Sequence, residues 1–127
     1  MSKILLVDDD RDILSVYEEV LKDEGYEVVS AVNGEEGLEK ITSTPFDLVL
    51  LDIMLPKIDG MTLLEQLKNS PTNAASPVIM LTNFGQDDLI KKALNMGAND
   101  YLLKYNMTPG EIVEKVKKLL SPQTVQM

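Results

Sequence analysis

The sequence has no histidine and no cysteine in its 127 residues. That removes the Ser-His triad, the thiol nucleophile, the disulfide framework and the ordinary zinc site together. Long apolar runs are missing as well: the longest is four residues, against the ~20 that a membrane-spanning helix needs. Positive charge is scarce, with 12 Lys+Arg against 21 Asp+Glu and a net charge of −9. Such a field repels nucleic-acid phosphates, so nucleic acid is not an expected partner. A free anion needs a local site that overcomes the same field. Neither Gly-x-Gly-x-x-Gly nor a P-loop occurs. The opening Met1 to Val7 reaches Asp8 too soon for a secretory signal, so a cytoplasmic protein with no membrane attachment is expected. Carboxylates, hydroxyls, lysines and bound hard cations are left to do any chemistry.

What is present is regular. The length suits one domain with one core, expected over residues 1–120, with 121–127 as a tail and no effector domain. Short apolar runs at Ile4 to Val7, Val28-Val29 with Ala31-Val32, Leu48 to Leu51, Val78 to Leu81 and Tyr101 to Leu103 alternate with amphipathic stretches. The first, third and fourth runs are continuously apolar, the pattern of parallel strands covered on both faces. The second alternates more, which suits a sheet edge. Helical spacing links Ile13, Tyr17, Val20 and Leu21 before Gly25, and then Leu38 with Ile41. It continues in Met61, Leu64 and Leu67, in Leu89, Ala93 and Leu94, and in Ile112, Val113, Val116 and Leu120. Thr108-Pro109-Gly110-Glu111 reads as an N-cap, a proline at the first helical position and a capping box. Five alternating βα units predict a doubly wound α/β fold, (βα)5, with a five-stranded parallel sheet of order 2-1-3-4-5. Its crevice is expected at the carboxyl ends of the strands.

The residues at those strand ends carry the functional reading. Asp8-Asp9-Asp10 follows the first run, Asp52 the third, Thr82 the fourth and Lys104 the fifth. Singly, an acidic run is a solvated helix start, with Asp10 capping the first helix, and a threonine or lysine there is surface. Asp52 is harder to set aside, because it ends the central buried run. Asp8, Asp9 and Asp52 held together raise one another's pKa, and a hard cation such as Mg²⁺ relieves the repulsion. A metal-bound Asp52 is then a carboxylate nucleophile toward phosphorus, with Thr82 and Lys104 balancing charge on the phosphoryl oxygens.

Ile4 to Asp10, Asp47 to Pro56, Asp59-Gly60, Pro77 to Thr82 and Gly97 to Lys104 resemble the receiver domains of two-component response regulators, which have a flavodoxin-like fold. The resemblance spans about residues 3–120. It implies that Asp52 accepts a phosphoryl group from a histidine kinase or phosphotransfer protein. It implies Mg²⁺ held by Asp9, Asp52 and the backbone carbonyl of Met54, with Asp8 acting through water. Thr82 and Lys104 would bind the phosphoryl group, and Tyr101 would be the switch aromatic that turns inward as Thr82 moves. A downstream protein partner is implied, with a phosphorylation-dependent dimer left open, and no enzymatic turnover beyond the domain's own phosphorylation and dephosphorylation. With no histidine of its own, the chain needs an external donor.

Departures from the family pattern are local. Tyr105 stands where proline usually follows the lysine, in a loop one residue longer, and a trans Lys104–Tyr105 peptide is expected because a cis bond there costs about 2.5–4 kcal/mol. Asn83 replaces a small residue after Thr82. Met54 and Phe84 are expected to line the water's approach to phosphorus and to slow hydrolysis. Three rival readings compete. A haloacid-dehalogenase-type phosphatase would need a second aspartate where Met54 stands. A flavodoxin-like cofactor binder would need a phosphate cradle where Asp8 to Asp12 stand. A degenerate receiver would act only as a protein-interaction module.

Overall fold

Apolar runs that do not alternate need cover on both faces, and each of them lies inside a covered sheet. The computed structural model describes residues 2–83, 85–105 and 107–120. In chain order the elements are β1 Lys3–Val7, α1 Arg11–Asp23, β2 Glu27–Ala31, α2 Gly34–Ser43 and β3 Leu48–Asp52. They continue as α3 Gly60–Asn69, β4 Val78–Thr82, α4 Asp87–Asn95, β5 Asp100–Leu103 and α5 Pro109–Leu120. The strands form one parallel sheet in the order β2-β1-β3-β4-β5, as the sequence predicts. β3 and β4 are buried along their whole length, whereas edge strand β2 is mostly half-exposed.

Strand alternation divides the core. Leu5, Val7, Val49, Leu51, Val78 and Met80 pack with Ile41 of α2, Leu63, Leu64 and Leu67 of α3, and Ile90 and Ala93 of α4. Ile4, Leu6, Leu48, Leu50, Ile79, Leu81 and Leu102 pack on the other face with Ile13, Leu14, Tyr17 and Leu21 of α1, and Ile112 and Val116 of α5. Two helix faces differ from expectation. In α4, Ile90 and Ala93 turn inward while Leu94 is exposed; its apolar residues form a stripe wider than one short helix can bury against the sheet. In α3, Leu63 is buried beside the expected Leu64 and Leu67, while Met61 is only half-buried.

Helix starts follow their side chains. Asp10 accepts from the backbone N–H groups of Asp12 and Ile13, Asn33 from that of Glu36, and Asp59 from that of Thr62. At α5, the Thr108 N–H donates to Glu111 at 2.8 Å and the Glu111 N–H donates back to the Thr108 hydroxyl at 3.1 Å, the expected capping box. Gly60 is needed for a spatial reason. A Cβ there would lie 1.9 Å from the backbone oxygen of Asp52, so only glycine lets α3 begin against the end of β3. The expected tail, 121–127, lies outside the described residues.

Candidate functional site

The ends of β1, β3, β4 and β5 bring the acidic and basic residues to one edge of the sheet. Asp8 follows Leu6, and Asp52 follows Leu50, at the strand spacing that turns side chains toward α1 and α5. Lys104 stands two residues beyond Leu102 and arrives on the same side. Its ammonium lies 3.1 Å from Asp8 Oδ1 and 3.1 Å from Asp52 Oδ2, with all three side chains almost entirely buried. The Lys104 backbone is held as well: its N–H donates to Thr82 O at 2.9 Å, and the Tyr17 hydroxyl reaches its carbonyl at 3.4 Å. The other oxygen of Asp52 accepts from the Met54 N–H at 3.2 Å, and Asp8 Oδ1 also accepts from the Asp10 N–H at 2.9 Å.

The electrostatics are unbalanced. Asp8, Asp9 and Asp52 can each place a carboxylate oxygen within 4.8 Å of the others, with Asp9 at the exposed mouth and the other two buried. Three formal negative charges face one ammonium. Burial, and then the Asp8 charge, push the Asp52 carboxyl up to about 7 despite Lys104. Burial likewise raises Asp8. Burial pulls the Lys104 ammonium down, but Asp52 and Asp8 outweigh it and the net shift is upward. Burial and the Asp8 charge move the Tyr17 hydroxyl up to about 12, so it remains a neutral donor. Among the described residues, Asp8 Oδ2 is buried with no hydrogen-bond partner. A hard divalent cation fits this donor set: three carboxylates facing one ammonium leave a net charge of −2, one of their oxygens is unsatisfied, and Mg²⁺ takes oxygen ligands. Asp8, Asp9 and Asp52 are the side chains that would hold it.

Thr82 sits at the same edge but turns differently. Asp52 pairs with Leu81 across the sheet, so Thr82 lies one residue out of phase with it. Among the described residues, the Thr82 hydroxyl bonds to Gln86 Oε1 at 2.7 Å and to the Asn83 carbonyl at 3.0 Å. Tyr101 is turned outward, 39% exposed, with the Lys115 ammonium 5.3 Å from its ring centre. Met54 is 57% exposed beside the site, and Phe84 lies outside the described residues. The Lys104–Tyr105 peptide is trans, as expected. The Tyr105 hydroxyl donates to Asp10 Oδ2 at 2.5 Å, tying the loop after β5 to the loop after β1.

Sequence reasoning missed Tyr17, Gln86 and Tyr105 as neighbours of the site. Tyr17 reads as core from its helical spacing. Gln86 stands four residues after Thr82, a spacing that signals contact only once the turn between them is known. Tyr105 announces itself only as a missing proline.

Comparison with known proteins agrees with this geometry. The chain is 40% identical to the transcriptional regulatory protein CpxR of Escherichia coli over 94% of its own length and 50% of CpxR. It spans about half the length of the first curated relatives it matches. The structure of a response regulator receiver domain protein from Methanospirillum hungatei superposes with a TM-score of 0.87 at 37% identity, covering 94% of each chain. The receiver domain of the sensor histidine kinase PA1611 from Pseudomonas aeruginosa, which holds a magnesium ion in its active-site cleft, superposes with a TM-score of 0.86. It is 25% identical, over 95% of this chain and 98% of that one. The model of the response regulator receiver domain matches residues 4–117, and the chain belongs to that family.

Proposed function

We propose that this domain takes a phosphoryl group onto Asp52, with Mg²⁺, from a histidine kinase or phosphotransfer protein, and signals through protein contacts that change on phosphorylation. The observation that carries the reading is the Lys104 ammonium bridging Asp52 and Asp8 while a second Asp8 oxygen stands buried and unpaired among the described residues. Buried polar groups in a purely structural ion pair are as a rule all hydrogen-bonded. The set Asp8, Asp9, Asp52, Thr82 and Lys104 is complete, so a degenerate receiver has no support here.

In the proposed transfer an Asp52 carboxylate oxygen attacks phosphorus in line, and the bond from phosphorus to the donor atom breaks with its electron pair leaving on the donor. Lys104, already placed at Asp52, stays and pairs with a phosphoryl oxygen. Thr82 supplies a hydroxyl donor after it releases Gln86, and Tyr101 follows inward as the switch. Bound Mg²⁺ would neutralise phosphoryl charge and keep Asp52 ionised at neutral pH; its ligands would be Asp9, Asp52 and the Met54 carbonyl, with Asp8 acting through water. The domain turns over no separate substrate.

No helix among the described residues is long and apolar enough to cross a membrane. A cytoplasmic location is part of the proposal, since histidine-kinase phosphodonors act there. The acidity of this segment argues against direct nucleic-acid contact by its own surface. CpxR is named as a transcriptional regulator, so the charge argument does not extend beyond these residues.

Incubation with acetyl phosphate and Mg²⁺, followed by intact mass measurement, tests the reading. One phosphoryl group should appear on the wild-type chain and none on Asp52→Asn. Equal uptake by the variant would falsify the assignment.

A further inference from the structure

Helices α1 to α3 each begin with a residue whose side chain caps the backbone, but the residue that opens α4, Gln86, makes no such bond. Its side chain turns back toward the strand end instead. Gln86 Oε1 lies 2.7 Å from the Thr82 hydroxyl and 2.7 Å from the Asn83 backbone nitrogen. The second contact settles the amide's orientation, because a backbone N–H only donates and must face the oxygen. Thr82 therefore meets an acceptor and has to be the donor. A hydroxyl has one proton, and among the described residues the oxygens it meets are Gln86 Oε1 and Asn83 O, both on the stretch between β4 and α4 rather than on Asp52.

We infer that Gln86 is a latch on Thr82, a positioning residue that holds the hydroxyl proton away from the acceptor aspartate and so sets the threshold for switching. The inference rests on the proposed role of Thr82 as a phosphoryl ligand. Before Thr82 can donate to a phosphoryl oxygen on Asp52, its proton must leave Gln86, whose oxygen then keeps the Asn83 N–H alone. Thr82 is fully buried and Gln86 half-buried, so water competes poorly for that bond. A neutral amide makes a moderate latch; a carboxylate in its place would make a charge-assisted and tighter one. The helix start left uncapped at α4 is the structural cost of this arrangement.

The test is Mg²⁺-dependent binding of beryllofluoride, which stands in for a phosphoryl group on a carboxylate, followed by amide NMR shifts. Six chains are compared: wild type, Gln86→Met, Gln86→Glu, Thr82→Val and the two double variants, each checked for folding by urea unfolding. Thr82→Ala serves as the second background should Thr82→Val not fold. Gln86→Met removes the acceptor while keeping side-chain length, and it should tighten binding by roughly three- to tenfold, the range one neutral hydrogen bond spans. In the background without the hydroxyl the same change should move affinity by less than about twofold. Gln86→Glu should weaken binding when Thr82 is present, and by more than it does when the hydroxyl is gone. Unchanged affinity in Gln86→Met, or an equal gain in both backgrounds, overturns the latch and leaves the site reading intact. A wild-type chain that shows no Mg²⁺-dependent response overturns the site reading and the latch with it.

Discussion

The two ends of β3 and β4 each bury a cluster of polar groups, and the clusters are opposites. At the end where these strands begin, Asn73 donates to the carbonyls of Ile41 at 2.6 Å and Thr44 at 2.9 Å. Its oxygen accepts from the Phe46 N–H at 2.8 Å and faces the Ser76 hydroxyl at 3.1 Å. Ser76 also reaches the Phe46 carbonyl at 2.8 Å. Both donors of that amide and its oxygen are engaged, and the cluster is neutral. At the far end Asp8, Asp52 and Lys104 are as deeply buried, but they carry charges that do not cancel and one oxygen with no partner among the described residues. A satisfied neutral network locks two loops together. The unsatisfied charged one stores a penalty that a bound cation can relieve, so the same degree of burial is compensated internally at one end and left open to an ion at the other.

The comparison predicts effects of opposite sign. Asn73→Ala should have the largest, since it strands the Ile41 and Thr44 carbonyls and the Phe46 N–H together. A loss of about 3–4 kcal/mol is expected in urea unfolding. A loss below about 1 kcal/mol would mean that water replaces the amide.

Asp52→Asn should do the reverse. A carboxyl raised to about 7 is penalised for ionising in the folded state, and an amide of the same shape avoids the penalty. At pH 8 without metal the variant should be more stable by roughly 1–3 kcal/mol. A destabilised variant would show that the Lys104 pairing outweighs the repulsion.

The wild-type protein should carry the same signature in its pH dependence. Because the folded Asp52 carboxyl binds its proton more tightly than the unfolded one, its contribution to stability is complete below about 3.8 and is lost as pH rises through about 7. Asp8 shifts in the same direction. Asp10 is lowered, chiefly by the Tyr105 hydrogen bond, and Glu111 is lowered by the Thr108 backbone N–H; both matter only at the acid end. Between pH 5 and 8 in a chelator, Tm should therefore fall as pH rises, and Mg²⁺ should restore most at pH 8. A Tm that climbs over this range in chelator would contradict the charge imbalance.

Thr108→Ala should have the smallest effect. The capping box at α5 is as reciprocally bonded as the Asn73 clamp, but it lies in water, which takes over the freed groups. A cost of about 1 kcal/mol is expected by thermal unfolding. A cost equal to that of Asn73→Ala would remove burial as the explanation for the difference.

The order of elements and the converging site were open to a reader of the chain. Continuous apolar runs at Ile4 to Val7, Leu48 to Leu51 and Val78 to Leu81 need cover on both faces, and alternation with helices leaves a parallel sheet. Once the order is known, whatever follows each run meets at one edge, which brings Asp8, Asp52, Thr82 and Lys104 together before any coordinate is seen. Those inferences use local periodicity and a chirality rule, and both are written along the chain. What the tertiary structure alone decided was side-chain direction and partnership. Lys104 pairs with Asp8 rather than solvent, Thr82 turns to Gln86, Tyr105 crosses to Asp10, and Asn73 closes a loop pair 32 residues away at Ile41. Each of these contacts depends on the geometry of a turn or on two elements meeting in space, and no spacing in the sequence encodes it.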